Sequence, residues 1–193
     1  MTRANVARRQ GDDFQARLFW LNAASLLDPH GSTISVAYET GPKSFDDIRI
    51  EFDPQKPPQD HEGKSIYRKH LQCKWHTTAG SFGYQDLIDP AFINAERFSI
   101  LQRAHQAQVQ HGADGFGYQF RFVTNWRIKP DDPLQQLIRK ESDALDITCL
   151  FEGTTDRSRM GQVRKLWREH LGLDHAALTL VARVLAIAET PES

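Results

Sequence analysis

Phe45-Asp46-Asp47-Ile48-Arg49-Ile50 and, further along, Leu71-Gln72-Cys73-Lys74-Trp75 are the two stretches that decide the fold. Ile48, Ile50 and Phe52 recur at every second position, the period of a strand with one buried face. Asp47, Arg49 and Glu51 then point the other way. In the second stretch Leu71 and Cys73 take the inward positions, which leaves Gln72 and Lys74 together on the opposite face. Set side by side, the two strands bring a carboxylate, a neutral amide oxygen and an ammonium to one face of a sheet.

Working outward, Ile34-Ser35-Val36-Ala37-Tyr38-Glu39 alternates like a half-buried strand, with Ala37 and Glu39 facing away from Val36 and Tyr38. Residues 40–44 contain a Gly-Pro turn, 47–52 form the second strand, and 66–76 form the third. Between the last two, Pro54, Pro57, Pro58 and Gly63 mark an exposed loop or hairpin extension. Residues 12–28 read as the first helix, capped by Asp12 or Asp13, with Phe14, Leu18, Leu21 and Leu26 as its apolar stripe. Residues 84–110 read as mainly helical, interrupted near Pro90, and 118–128 as a fourth strand turning polar at Thr124-Asn125. Pro133 suits a first helical turn. Residues 147–152 resemble a short strand, and 157–171 and 174–189 two helices separated by Gly172. The order α-β-β-β-α-β-α-α predicts an α/β fold: a mixed central β-sheet flanked by helices, with further helices at the C-terminus.

At 193 residues, a single domain over 1–193 is the simplest organisation, with a core over about 12–152 and C-terminal helices over 157–189. A hydrophobic fraction of 39% and a charged fraction of 25% are those of an ordinary soluble protein. The first nine residues are polar and basic, unlike a signal peptide. The longest apolar run, 178–188, is interrupted by Arg183 and is too short to span a bilayer, so no membrane contact is expected. Cys73 and Cys149 form neither a disulfide framework nor a zinc motif and read as buried thiols in a reducing cytoplasm. A net charge of −1 confines any nucleic-acid surface to a local patch.

The carboxylate, amide and ammonium suit hydrolysis of a phosphodiester assisted by a divalent metal. Mg²⁺ takes oxygen ligands and keeps several of its waters. Asp47 is the candidate anchor, Glu39 a second carboxylate, and Gln72 a donor through its side-chain or its backbone carbonyl. Lys74 is placed to orient a nucleophile and to stabilise charge developing on phosphorus. Each of these residues alone is more often a solvated surface group; the combination carries the signal.

At Asp47 and Gln72-Cys73-Lys74 the chain resembles the restriction-endonuclease-like PD-(D/E)xK superfamily in its QxK variant. It resembles more closely the endonuclease domain of CD-NTase-associated effectors from bacterial antiphage (CBASS) systems. Asp13-Phe14-Gln15, Tyr38-Glu39, Asp46-Asp47-Ile48 and Phe122-Val123-Thr124-Asn125 add weaker matches over residues 13–125. The resemblance implies a restriction-endonuclease-like core and a Mg²⁺-dependent, largely sequence-nonspecific double-stranded DNA endonuclease, with Mn²⁺ as a substitute metal. It also implies a homo-oligomer on activation, driven by a fused or associated sensor absent from this chain. Thr190-Pro191-Glu192-Ser193 reads as a linker, which suits an N-terminal effector part of a longer protein. Gln72 stands where the superfamily carries Glu, removing one negative charge; the closer relatives share the Gln.

Gln15, Asp46, His76 and Asn125 are candidate accessory residues, although Asn125 suits the end of a strand better than a phosphate contact. Lys64, Arg68 and Lys69 are candidate DNA contacts, with a solvated charged edge as the equal alternative. Arg157, Arg159, Arg164, Lys165 and Arg168 read as a DNA-facing stripe or, slightly better, as an ordinary amphipathic helix surface, and the apolar final helix as buried or as a docking face. Two other functions compete: a catalytically inactive nucleic-acid-binding module and a protein-interaction domain. An inactive module has no chemical need for Lys74.

Overall fold

The computed structural model describes residues 3–41 and 45–190. Residues 42–44 of the Gly-Pro turn and 191–193 of the linker-like ending lie outside them. A long helix α1 (Arg3–Ala23) and a short 3-10 turn (Ala24–Leu27) precede three strands, β1 (Thr33–Tyr38), β2 (Ile48–Phe52) and β3 (Ile66–Lys74). A two-residue strand β4 (Ser81–Phe82), two 3-10 turns (Asp86–Ile88 and Pro90–Ile93) and α2 (Ile100–His111) lead to β5 (Gly117–Thr124) and β6 (Arg127–Ile128). Four helices, α3 (Leu134–Leu137), α4 (Ile147–Leu150), α5 (Arg159–Leu171) and α6 (His175–Val184), deliver the chain to β7 (Leu185–Glu189).

The central sheet has the order β1-β2-β3-β5-β7. β1, β2 and β3 pair antiparallel, whereas β3, β5 and β7 run parallel. It is therefore the mixed sheet the sequence predicts. The alternation in β2 holds: Ile48, Ile50 and Phe52 are buried under α1 with Phe14, Leu71 and Val123. Each such side chain contributes roughly 1.5–3 kcal/mol of transfer free energy, enough to fix the register of β2 against a one-residue slip. The other face, built on Phe120, Phe122 and Ile187, packs against α2, α5 and α6 around Trp167. His70 lies within this second layer, 3% exposed and stacked on Phe120 and His111, and burial pushes its imidazole down to about 4. It is neutral at physiological pH.

Several local readings change. Asp12 and Asp13 do not cap α1, which begins at Arg3 and carries them through its middle. Residues 84–110 are α-helical only from Ile100, where Ser99 and Gln102 form a reciprocal capping box; before it they hold only the two 3-10 turns on either side of Asp89. The strand read over 118–128 ends at Thr124 and resumes as β6. Residues 147–150 are helix, because the Asp146 side chain accepts the Cys149 N–H at 3.0 Å and starts a turn. The run 174–189 changes state at Leu185: its last five residues form a strand, buried except for Glu189. Its apolar character comes from burial in the sheet.

Arg164 is not a surface charge. It is 3% exposed and donates to the carbonyls of Leu150, Glu152 and Gly153 at 2.6–2.9 Å, tying α5 to the end of α4. Arg164→Ala leaves three carbonyls short of a donor inside the protein, at about 1–3 kcal/mol for each one that water cannot reach. A loss of about 3–5 kcal/mol is expected, read as a lower urea midpoint at unchanged slope. A loss under about 1 kcal/mol would mean that water replaces the guanidinium.

Candidate active site

Antiparallel pairing of β2 and β3 sets Ile48 opposite Leu71, so the next pair outward is Asp47 with Gln72. The structure makes that pair directly. Gln72 Nε2 donates to Asp47 Oδ2 at 2.7 Å, and the Cys73 amide donates to the same oxygen at 2.6 Å. Asp47 thus stands just before β2 begins and is held by β3. Gln72 Oε1 is left buried without a hydrogen-bond partner. An amide oxygen in that state is costly unless a donor or a cation meets it.

Asp47, Gln72 and Lys74 share a cavity of about 580 Å³. Its walls come from three directions. Helix α1 supplies Arg8, Asp12 and Gln15; the loop after β3 supplies His76, Thr77 and Thr78; the turn at Pro90–Ile93 and the loop before β6 supply Phe92 and Trp126. Trp126 stacks on His76 with ring centroids 3.9 Å apart and donates its indole N–H to the Thr78 carbonyl at 2.7 Å. A Cβ at position 80 would come within 2.6 Å of the Trp126 ring, so Gly80 is needed for that ring to lie where it does.

Burial pushes the Asp47 carboxyl up to about 6; the Cys73 N–H and Arg103 pull it down, and Asp46 and Glu39 push it further up. Lys74 is shifted down, first by burial and then by Arg103, with Asp47 acting the other way. A carboxylate and an ammonium each made costly by burial, facing one cavity, are the electrostatic pattern of a functional site.

The remaining sequence candidates divide. Gln15 lines the cavity. His76 lines it too, but burial and Lys74 push its imidazole down to about 4, so it presents a neutral ring stacked on Trp126 and Phe92. Asn125 ties strand ends together: it accepts the His76 N–H at 2.8 Å and donates to the His76 carbonyl at 2.9 Å. Glu39 sits beside Asp47, its N–H donating to the Asp47 carbonyl at 2.9 Å. Its backbone is left-handed, φ 50°, so strand parity ends at Tyr38, and the exposed side chain of Glu39 is not among the cavity's walls. Asp46 is half-buried and also outside those walls.

Lys64, Arg68 and Lys69 are not brought to the cavity. Lys69 and Lys74 are five residues apart along β3, about 17 Å. Arg68 pairs with Glu51 at 3.0 Å, Lys69 lies over the Phe52 ring, and Lys64 lies over Phe116. In exchange the fold supplies three residues that the sequence patterns do not single out for the site: Arg8 and Asp12 on the cavity wall and Arg103 acting on both Asp47 and Lys74. Arg8 and Asp12 lie four apart on α1, a helical spacing that becomes visible once the helix is extended back past Asp12.

The residues fit a hard divalent cation. Among the described residues, no group of three or more His, Cys, Asp or Glu is arranged to hold a metal. Mg²⁺ does not require one: it is commonly held by one or two carboxylates with waters and substrate phosphate oxygens completing the set. Asp47 and the unpartnered Gln72 Oε1 are the donors present, with Asp12 as an acidic neighbour on the cavity wall. No helix among the described residues is long and apolar enough to cross a membrane.

No family model matches the sequence. Over 176 residues, 90% of the chain, it is 44% identical to CD-NTase-associated protein 4 of Enterobacter hormaechei subsp. hoffmannii (strain UCI 50). The chain spans 34% of that protein's length, about a third. Over nine-tenths of its own length, the chain is similar to a CD-NTase-associated protein.

Proposed function

We propose that this chain is a metal-dependent endonuclease that cuts double-stranded DNA with little sequence preference, as an effector in antiphage defence. The observation that carries the reading is the direct 2.7 Å bond between Asp47 and Gln72, in a cavity that also contains Lys74. Two segments far apart in sequence meet with the chemistry that phosphodiester hydrolysis needs. Kinship with a CD-NTase-associated protein supports the defence role.

Asp47 and Gln72 would hold the Mg²⁺ through a carboxylate oxygen and Oε1. When bound, the ion supplies Lewis acidity toward a phosphate oxygen and lowers the pKa of its water. The protein's own groups do the rest. The Cys73 N–H and the Gln72 amide fix the Asp47 carboxylate so that it need not reorganise during reaction. Lys74 donates to the attacking water and to the non-bridging oxygens as negative charge grows on them. Burial withholds solvent from its ammonium and makes that interaction stronger than in water. Arg8, exposed on the cavity wall, meets the DNA backbone.

Supercoiled plasmid incubated with the protein is expected to be nicked and linearised in Mg²⁺ or Mn²⁺ and to stay intact in EDTA. Cutting that persists in EDTA would defeat the metal-dependent reading. DNA retention without cutting at any metal concentration would favour a binding module.

A further inference from the structure

From Asn5 to Asp13 helix α1 buries no side chain; Phe14 is its first residue in the core. The helix therefore runs about 16 Å past the core as an arm. So short a helix is marginal in water on its own, so this one depends on its packed half or on a partner. Up to Gln10 the arm carries Arg3, Arg8 and Arg9 and no acid. Arg8 and Arg9 are exposed, and neither forms an ion pair among the described residues. Asp12 comes a turn later, on the cavity wall.

The arm stands beside the cavity. Ala7, Arg8 and Gly11 are among its walls, and a Cβ at Gly11 would meet nothing within 4 Å, so the space in front of the helix is open. Arg9 points about 100° further round than Arg8 and is not among those walls. Two extended arginines at that angle hold their guanidinium groups about 12 Å apart. The major groove of B-form DNA is about 12 Å wide and admits an α-helix. The inference drawn from this rests on the nuclease reading. We propose that the arm lies in the major groove beside the cut, with Arg8 on the strand whose phosphate faces Lys74 and Arg9 on the opposite strand. Arg9 is then the residue that makes the protein prefer a duplex. A single strand offers Arg8 a phosphate and leaves Arg9 without one. Asn5 is the arm's side chain that lies between the two arginines in angle, toward the groove floor, and one short amide there suits weak sequence preference.

Fluorescence anisotropy in EDTA reads binding without cutting, with a labelled duplex and one of its strands as probes. Both arginines are exposed, so their alanine variants are expected to fold as the wild type does, which circular dichroism checks. Each phosphate contact contributes about 0.9 to the slope of log affinity against log salt. Arg9→Ala is expected to lower that slope by about 1 on the duplex and to weaken binding about 10-fold near 0.1 M salt. On the single strand it should change affinity by less than about 2-fold. Arg8→Ala should weaken binding of both probes, and Arg157→Ala, exposed on the loop before α5, of neither. Duplex affinity of Arg9→Ala within about 2-fold of wild type, or equal weakening on duplex and strand, would overturn the proposal. So would a wild type that binds no duplex. A protein that shows the Arg9 difference yet never cuts in Mg²⁺ would count against the nuclease and leave the arm standing.

Discussion

Lys74→Ala is expected to lower the rate of metal-dependent plasmid cutting by about 10³-fold, the usual cost of removing a group that stabilises developing oxyanion charge in a water-poor site. DNA affinity should change little, because a single ammonium is a small share of a phosphate-contacting surface. Lys74 is the last residue of β3, half-buried, and lines the cavity with Gln72 and Asp47, so truncation removes a side chain without opening the core. Lys74→Arg should not restore the rate. A planar guanidinium replaces a compact point charge, and its fork does not occupy the same position beside the attacking water. Full activity in Lys74→Ala would sink the role assigned to this lysine; a folded variant that still binds DNA but no longer cuts it is the predicted result.

Asp47→Asn is expected to act in two opposite directions. The variant should lose metal-dependent cutting by at least about 10³-fold, because the anchoring negative charge is gone. In EDTA near pH 8 it should nonetheless be more stable than the wild type. The folded-state pKa of Asp47 is raised from 3.8 to about 6. The folded protein therefore holds this proton more tightly than the unfolded chain does. That contribution to stability is complete below about pH 4 and is lost as pH rises through 6. On the order of 2–3 kcal/mol is at stake, because each tenfold gain in proton affinity is worth about 1.4 kcal/mol. Asn keeps an oxygen to accept from Gln72 and Cys73 but carries no charge to desolvate. Urea midpoints of the two proteins should coincide near pH 4 and diverge with the variant ahead above pH 7. Adding Mg²⁺ should raise the wild-type Tm and leave the variant's unchanged. A variant less stable than the wild type in EDTA at pH 8, or one that Mg²⁺ still stabilises, would contradict the assignment.

Four of the five strands of the central sheet, and the meeting of Asp47 with Gln72 and Lys74, are legible in the sequence because strand parity is a strict rule. With Ile48, Ile50 and Phe52 inward, Asp47 has to face the side that Gln72 and Lys74 face. What stays hidden follows from weaker rules. The first nine positions of α1 hold good helix formers but no apolar stripe, and they end at Gly11, so amphipathic spacing does not announce them. Consequently Arg8 draws no notice and Asp12 suggests only a cap. Leu178 to Ala188 is apolar but for Thr179 and Arg183, and such a run does not separate a buried strand from a buried helix. Lys64, Arg68 and Lys69 suggest themselves by nearness in sequence to β3, although a strand of nine residues carries its two ends far apart. Arg103 reaches the site only through the packing of α2, which no local pattern encodes.

The bond from Asp47 to Gln72 and Cys73 has a consequence for how this protein tolerates change in length. β2 and β3 are joined through residues 53–65, and that connection leaves from Phe52 and returns at Ile66, the ends of the strands remote from Asp47 and Gln72. Spacing between the two halves of the chemistry is thus set by the register of the ladder, and the tether between them has no say in it. Residues can be added or removed there, or a fluorescent or affinity module spliced in, without retuning the reactive groups. The count of residues separating the aspartate from the lysine is a free parameter of this architecture, which makes it a poor ruler for finding distant kin and a convenient place to engineer.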